Sequence, residues 1–370
     1  MRIMNQAFKI LIVDDNSLYR RFLSKAAEAT PFPTELETAP SGAIALKKIP
    51  VFDPEIVLLD IEMPDMNGIE VLKAIKRDYP RIIVILVSGV NSRSAEITIE
   101  GLSSGASDFI PKPTGSSPNE NIAYLRKELA RVFEIAVQKK ARREKKALGS
   151  RPAAIQAPPR TPLVSSHSSL LPTRIDVVGI GISTGGPMAL EEMIPRLPEN
   201  MKAPILIVQH MPPLFTESLA KSLNKKSKLP VFHAREGQEI RGGCIYLAQG
   251  GKHMEMEKRP VAEGTRLFIR IGDGPPVNSC KPAVDILFKS MAANAGLKIL
   301  AVIMTGMGQD GLEGVVDIKN RDGYCLTQSE VSCTVYGMPH AVDSAGLSDE
   351  SVDLVDLPSR ISTIAAGISA

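Results

Sequence analysis

With 370 residues, 44% of them hydrophobic and 23% charged, the chain is long enough for more than one core and too apolar to stay disordered. A formal charge of +3 gives no general case for nucleic acid, and no apolar run is long enough to cross a bilayer. Met1–Lys9 lacks the apolar core and cleavage site of a secretory signal, and Cys244, Cys280, Cys325 and Cys333 have neither metal nor redox-pair spacing; reduced thiols in a cytoplasmic protein are expected.

From Phe8 the chain alternates short apolar runs with amphipathic segments. Strands are predicted at Phe8–Val13, Thr34–Thr38, Glu55–Leu59, Ile82–Val87 and Ser107–Ile110, with helices near Leu18–Ala29, Gly42–Ile49, Gly68–Arg77 and Ser94–Ser104. The strands are mostly continuous in Ile, Leu and Val, which suits a parallel sheet covered on both faces, and five such units make a doubly wound α/β domain. A helix from about Asn121 runs into the basic stretch Lys139–Lys146, read as solvated charge near a helix C-terminus. Ser150–Pro172, with five prolines and five serines and no apolar face, reads as a linker. The strand–helix rhythm resumes with Ile175–Ile180, Pro204–Val208 and Lys298–Met304, while Cys244–Leu247 and Arg266–Ile271 suggest a hairpin-like insertion. The division expected is 1–125, 126–173 and 174–370.

In a parallel sheet, residues just past the strand C-termini share one edge. Asp14 and Asp15 follow the first strand, Asp60 the third, Ser88 the fourth and Lys112 the fifth. Three carboxylates there would repel one another without a hard cation, and Mg²⁺ is the natural one; a carboxylate so placed can accept a phosphoryl group, and Ser88 and Lys112 can contact its oxygens. Val13-Asp14-Asp15, Asp60-Ile-Glu62-Met63-Pro64, Gly68, Val87-Ser88 and Asp108-Phe109-Ile110-Pro111-Lys112-Pro113 closely resemble the response-regulator receiver family over residues 8–113, with Asn16 where relatives often have Ser. The resemblance implies phosphorylation of Asp60 by a partner histidine kinase. It further implies that Asp14, Asp15, Asp60 and the Glu62 carbonyl hold Mg²⁺, and that Phe109 occupies the aromatic switch position.

The second half carries a different chemistry. Gly181-Ile-Ser183-Thr184-Gly185 fits a G-x-S-x-G elbow, in which glycines let the backbone turn sharply and expose the hydroxyl. A dinucleotide loop is disfavoured, because the glycines read G-x-G-x-x-x-G-G and no acidic residue ends an evident second strand at the required distance. His210 follows one apolar strand and Asp310 another, so a serine, a base and an orienting carboxylate can meet at one edge. His253 is the serious rival as base; His167, His233 and His340 are weaker candidates.

Gly181–Pro187, Gln209-His210-Met211-Pro212, Gly250–Met254, Asn278–Asp285, Thr305–Gly311 and Tyr336–Pro339 resemble the catalytic domain of the chemotaxis protein-glutamate methylesterases, the CheB family, across roughly 175–365. The fold implied is a five-stranded receiver followed by an α/β methylesterase domain with a mainly parallel sheet. The resemblance implies Ser183 as nucleophile, His210 as base and Asp310 as orienting carboxylate, with backbone N–H groups near Ser183–Gly186, including Thr184, and that of Met307, supporting the oxyanion. It also implies hydrolysis of γ-glutamyl methyl esters on chemoreceptors and deamidation of their glutamines, needing no cofactor, and a receiver that blocks the site until phosphorylated. Chemoreceptors and a chemotaxis histidine kinase are the expected partners, with neither nucleic acid nor membrane insertion. Lys281 stands where Arg is expected and Lys252 where His is frequent, which bears on substrate preference. A receiver on a DNA-binding output finds no helix-turn-helix pattern, whereas a receiver-coupled adaptor with inactive hydrolytic residues is compatible with the same residues.

Overall fold

A computed structural model describes residues 7–64, 66–147, 174–262 and 264–367. The chain forms two compact units. The expected linker Ser150–Pro172 lies outside the described residues.

The N-terminal sheet consists of β1 (Phe8–Val13), β2 (Thr34–Ala39), β3 (Ile56–Asp60), β4 (Ile83–Ser88) and β5 (Asp108–Pro111). All pairings are parallel, in the order β2-β1-β3-β4-β5. Helices α1 (Ser17–Glu28), α2 (Gly42–Phe52), α3 (Gly68–Asp78), α4 (Ser92–Ser103) and α5 (Pro118–Ala147) connect and follow the strands. The Asn16 side chain caps α1 by accepting from the Leu18 N–H at 2.9 Å, which explains why this position accepts Asn as readily as Ser. In α5, Leu125, Leu129, Val132, Phe133 and Ala136 recur at helical spacing and are buried against β1 and α1. There the Phe133 ring stacks on Phe8 at 5.8 Å and meets Phe32 edge-on at 5.7 Å. Not all of the basic stretch is solvated charge: Lys140 pairs with Glu55 at 2.8 Å.

The second sheet has seven strands in the order β14-β13-β12-β6-β7-β9-β8, all parallel. They are β6 (Val177–Ile182), β7 (Ile205–Gln209), β8 (Val231–His233), β9 (Ile245–Leu247), β12 (Ile299–Ile303), β13 (Tyr324–Gln328) and β14 (Glu350–Val352). The helices of this unit are α6 (Gly186–Met193), α7 (Pro213–Lys226), α8 (Val284–Ala293), α9 (Leu312–Lys319), α10 (Met338–Ser344) and α11 (Leu357–Ala365). The hairpin expectation needs correction. Ile245–Leu247 is a parallel strand of the main sheet, and the antiparallel pair is instead β10 (His253–Val261) with β11 (Gly264–Gly272). In β10 buried Met254 and Met256 alternate with more exposed Glu and Lys, so it has no apolar run to betray it. A cavity of about 560 Å³ is lined from both ends of this unit, among others by Arg174, Asp176, Lys202, Ser362 and Ala366. Among the described residues, no helix is long and apolar enough to cross a membrane.

Candidate functional site

Strand register builds both polar clusters. In the first unit, Asp60 at the end of β3 pairs with Val87, Ser88 at the end of β4 pairs with Pro111, and the Lys112 N–H donates to the Ser88 carbonyl at 2.6 Å. Ligand oxygens of Asp14, Asp15 and Asp60 lie within 4.8 Å of one another. Asp14 and Asp60 are buried and Asp15 is exposed. The Lys112 ammonium donates to Asp60 Oδ2 at 2.8 Å and stands 3.0 Å from Asp14 Oδ2, a buried oxygen that accepts no well-formed hydrogen bond. Burial and the neighbouring Asp14 push the Asp60 carboxyl up to about 6 despite Lys112. Burial would lower the Lys112 ammonium, but Asp60 and Asp14 outweigh it and hold the group above its ordinary range. Three carboxylates with oxygens this close, all of them hard donors, suit a divalent cation, so Asp14, Asp15 and Asp60 can bind a metal. Ser88 and Phe109 are buried beside this edge, at the ends of β4 and β5.

In the second unit, β12, β6 and β7 are adjacent, and the chain passes from central β6 to β7 on one side and later to β12 on the other. That reversal opens a crevice at the strand C-termini. Ser183 follows β6, His210 follows β7, and Thr305–Asp310 follow β12, so all three expected residues reach one edge. Ile182 pairs with Gln209, the Ser183 N–H donates to the Thr305 carbonyl at 2.9 Å, and the His210 N–H donates to the Ile182 carbonyl at 3.2 Å. Gly185 has φ +75°, and a Cβ there would stand 2.3 Å from Thr334 Oγ1, so the turn carrying Ser183 requires glycine twice over. Thr184 is buried, with its carbonyl accepting from Thr305 Oγ1 at 2.9 Å. The Met307 N–H has no hydrogen-bond partner among the described residues, leaving a donor at this edge.

His210 Nε2 is 2.7 Å from Asp310 Oδ2. Asp310 is buried and accepts from four donors, three of them the Val284 N–H at 2.7 Å, the Asp285 N–H at 3.2 Å and Asn278 Nδ2 at 3.1 Å.

 The imidazole is the fourth donor. Two of these N–H groups open α8, so the helix N-terminus favours the ionised carboxylate. Burial alone would raise Asp310, but its bonds and charge interaction with His210, reinforced by Val284 and Asn278, hold it below the usual carboxylate range. His210 would fall on burial, yet the bonds to Asp310 and Cys280 push it up to about 9. Its other ring nitrogen, Nδ1, faces Cys280 Sγ at 3.5 Å. Among the described residues the Ser183 hydroxyl has no hydrogen-bond partner, so the structure aligns base and carboxylate but leaves serine and base unbonded.

His253 is excluded as the base by its own bonds. Its Nδ1 accepts from the Ala283 N–H at 3.2 Å, which leaves Nε2 to donate to the Pro275 carbonyl at 3.0 Å, in a buried position. Lys252 and Lys281 share one partner, reaching Asp273 at 2.7 and 2.6 Å, and together they hold that carboxyl down to about 2.

The sequence pattern passed over four residues of this site. Gln209, buried, donates from Nε2 to the Ser183 carbonyl at 2.9 Å and the His210 carbonyl at 3.3 Å, tying the two turns together. Asn278 bridges Asp310 and Asp285, and Asp285 accepts from the Gly314 N–H at 2.8 Å. Gln209 and Asp285 stand inside the motifs quoted above, and their polar side chains there were the available signal. Nothing in the sequence pointed to Cys280.

Two family models match the chain: the response regulator receiver domain over residues 10–123 and the CheB methylesterase over residues 178–361. A protein-glutamate methylesterase/protein-glutamine glutaminase of Trichodesmium erythraeum is 38% identical over 96% of this chain and 98% of its own length. One of the same name from Desulfotalea psychrophila is 40% identical over 92% of this chain and 94% of its own. The crystal structure of the Thermotoga maritima CheB methylesterase catalytic domain is 37% identical, covers 50% of this chain and 97% of that one, and has a TM-score of 0.48. By the two matched models and the near full-length relatives, the chain belongs to the CheB methylesterase family, with a response regulator receiver domain preceding the esterase domain.

Proposed function

We propose that this chain hydrolyses γ-glutamyl methyl esters on chemoreceptors, releasing methanol, deamidates receptor glutamines by the same route, and is activated by phosphorylation of Asp60. The observation that carries the reading is the His210–Asp310 pair at 2.7 Å, set at the strand end beside the turn that presents Ser183. Ser183 Oγ attacks the ester carbonyl while His210 Nδ1 takes its proton; Nε2 remains on Asp310, which keeps the tautomer fixed and balances the imidazolium. The Met307 N–H, with Thr184 and its neighbours in the Ser183 turn, supplies donors to the oxyanion, each such donor contributing about 3–4 kcal/mol to transition-state stabilisation. His210 then gives the proton to the departing methoxide, which leaves as methanol, or in the deamidation to the departing amide nitrogen, which leaves as ammonia, and water attacks the acyl-enzyme by the reverse sequence.

In the receiver, Asp60 is the phosphoryl acceptor, and Ser88, Phe109 and Lys112 are the residues that respond. Asp14, Asp15 and Asp60 would hold Mg²⁺, which neutralises the cluster when bound. A chemotaxis histidine kinase is the phosphoryl donor, and the reaction belongs in the cytoplasm, to which four free thiols are suited. We place the receiver at 1–125, the helix extension and linker at 126–173 and the catalytic domain at 174–370, around the matched segments 10–123 and 178–361.

The test uses methyl-labelled, cognate receptor membranes with the full chain, with and without a small phosphodonor and Mg²⁺. Methanol release should depend on Ser183, disappearing in Ser183→Ala, and should rise with the phosphodonor in wild type but not in Asp60→Asn. Equal release by wild type and Ser183→Ala would refute the nucleophile. No release under any condition would favour the inactive adaptor.

A further inference from the structure

The imidazole of the esterase site has a second neighbour that neither the motif nor the proposed reaction employs. Cys280 Sγ lies 3.5 Å from His210 Nδ1, while Nε2 is engaged by Asp310, so thiol, imidazole and carboxylate form a continuous row. The three ligand atoms of this row lie within 4.8 Å of one another. Cys280 is half-buried, within reach of small solutes. Its approach depends on the backbone, since Asn278 and Ser279 both take positive φ (52° and 63°) and turn the loop back over His210.

The other thiols are placed differently. Cys325 and Cys333 are buried and donate to the Leu326 and Gln328 carbonyls, and burial pushes the Cys325 thiol well up. Cys244 is half-buried on the β9 side and outside the His210 cluster. Thiol reactivity follows access and a neighbouring base, and among the four cysteines the described structure gives both only to Cys280.

We propose that Cys280 is an oxidation site that reversibly switches off the esterase, with hydrogen peroxide or a related peroxide as the oxidant. The inference rests on the reading of His210 as the base. In its neutral form His210 takes the thiol proton at Nδ1, and the thiolate attacks one peroxide oxygen. The S–O bond forms as the O–O bond breaks, and the departing hydroxide takes the imidazolium proton to leave as water. Sulfur is thereby oxidised to sulfenic acid and one equivalent of peroxide is reduced. The new S–O–H group donates to Nδ1, the nitrogen that Ser183 needs. A small thiol displaces water to give a mixed disulfide, and a second thiol restores Cys280 with release of the oxidised reductant.

The experiment treats the full chain with hydrogen peroxide and reads two signals in parallel. One is dimedone capture of sulfenic acid, mapped by peptide mass; the other is methanol release from methyl-labelled receptor membranes. Each protein is compared with its own untreated sample. Wild type should lose about tenfold of its activity as Cys280 is captured, and dithiothreitol should restore it. Cys280→Ser should lose less than about twofold, with Cys280→Ala as the second variant should the first fold poorly. His210→Gln should slow capture at Cys280 about tenfold and leave capture at Cys244 unchanged. Undiminished wild-type activity with Cys280 fully oxidised would overturn the proposal, as would equal loss in the cysteine variants. If untreated wild type releases no methanol, the esterase reading fails; the capture arm then decides separately, and equal capture in wild type and His210→Gln overturns the thiol–imidazole pairing.

Discussion

In the proposed reaction a single side chain, His210, sets the working pH of the site. Its raised pKa, about 9, means that the resting base is protonated at neutral pH. A base must be neutral to accept the Ser183 proton, so kcat/KM should climb as pH rises and level off above about 9, after subtraction of the Ser183→Ala blank. Asp310→Asn removes the main opposing force to burial, so its profile should shift towards the ordinary imidazole value near 6.5 while kcat falls by about 10³–10⁴. A profile that stays put in Asp310→Asn would disprove the coupling. The reach of sequence is also visible at this scale. Ser183, His210 and Asp310 were legible because each follows an apolar strand within a glycine-rich or polar motif. Cys280 was not, because its contact with His210 depends on left-handed φ at Asn278 and Ser279, residue types that give only a weak hint of that conformation.

Among the elements, α5 shows what a helix gains beyond its apolar stripe. Arg131 near its middle pairs with Asp108 at the start of β5 and donates to the Phe109 carbonyl at 3.2 Å. The carboxylates of Asp108 and Glu128 overcome the effect of burial and keep the guanidinium firmly charged. Arg131→Met should leave Asp108 with an unmatched charge and destabilise the receiver by about 2–4 kcal/mol, read by urea unfolding at pH 7. An unchanged midpoint would mean that the pair contributes no net stability. The continuous runs in β1, β3 and β4 made those strands easy to read, whereas β8 and β14 are only three residues long and β10 alternates only over Met254–Glu257 before a charged run. Strand order lay beyond the pattern too, since only pairing reveals that β12 returns to lie beside β6.

For the molecule as a whole, the acidic cluster trades stability for chemistry. Asp60 has a folded pKa of about 6, above the unfolded value near 3.9, so its contribution to stability is fully present below the lower value and lost as pH rises through the higher. At pH 8 the ionised group destabilises the receiver, and Asp60→Asn should raise its stability by about 1–3 kcal/mol, with no gain near pH 4. Calorimetry of the full chain at both pH values should show only the receiver transition moving. Mg²⁺ should raise the same transition in wild type at pH 8, and less in the variant. A variant no more stable than wild type at pH 8 would show that the carboxylate is not strained.

The cavity between the first and last segments of the catalytic unit bears on how such a site can be inherited. Arg174 and Ala366 line the same space, so the two ends of the unit are neighbours. Ser183, His210 and Asp310, the triad proposed above, follow separate strands, and none depends on the others' position along the polypeptide. A circular permutant closed by a short link across that cavity and opened at the β10–β11 turn would carry the order Asp…Ser…His on unchanged strand pairings. The linear order of a triad records where a gene begins, while the sheet decides which residues meet.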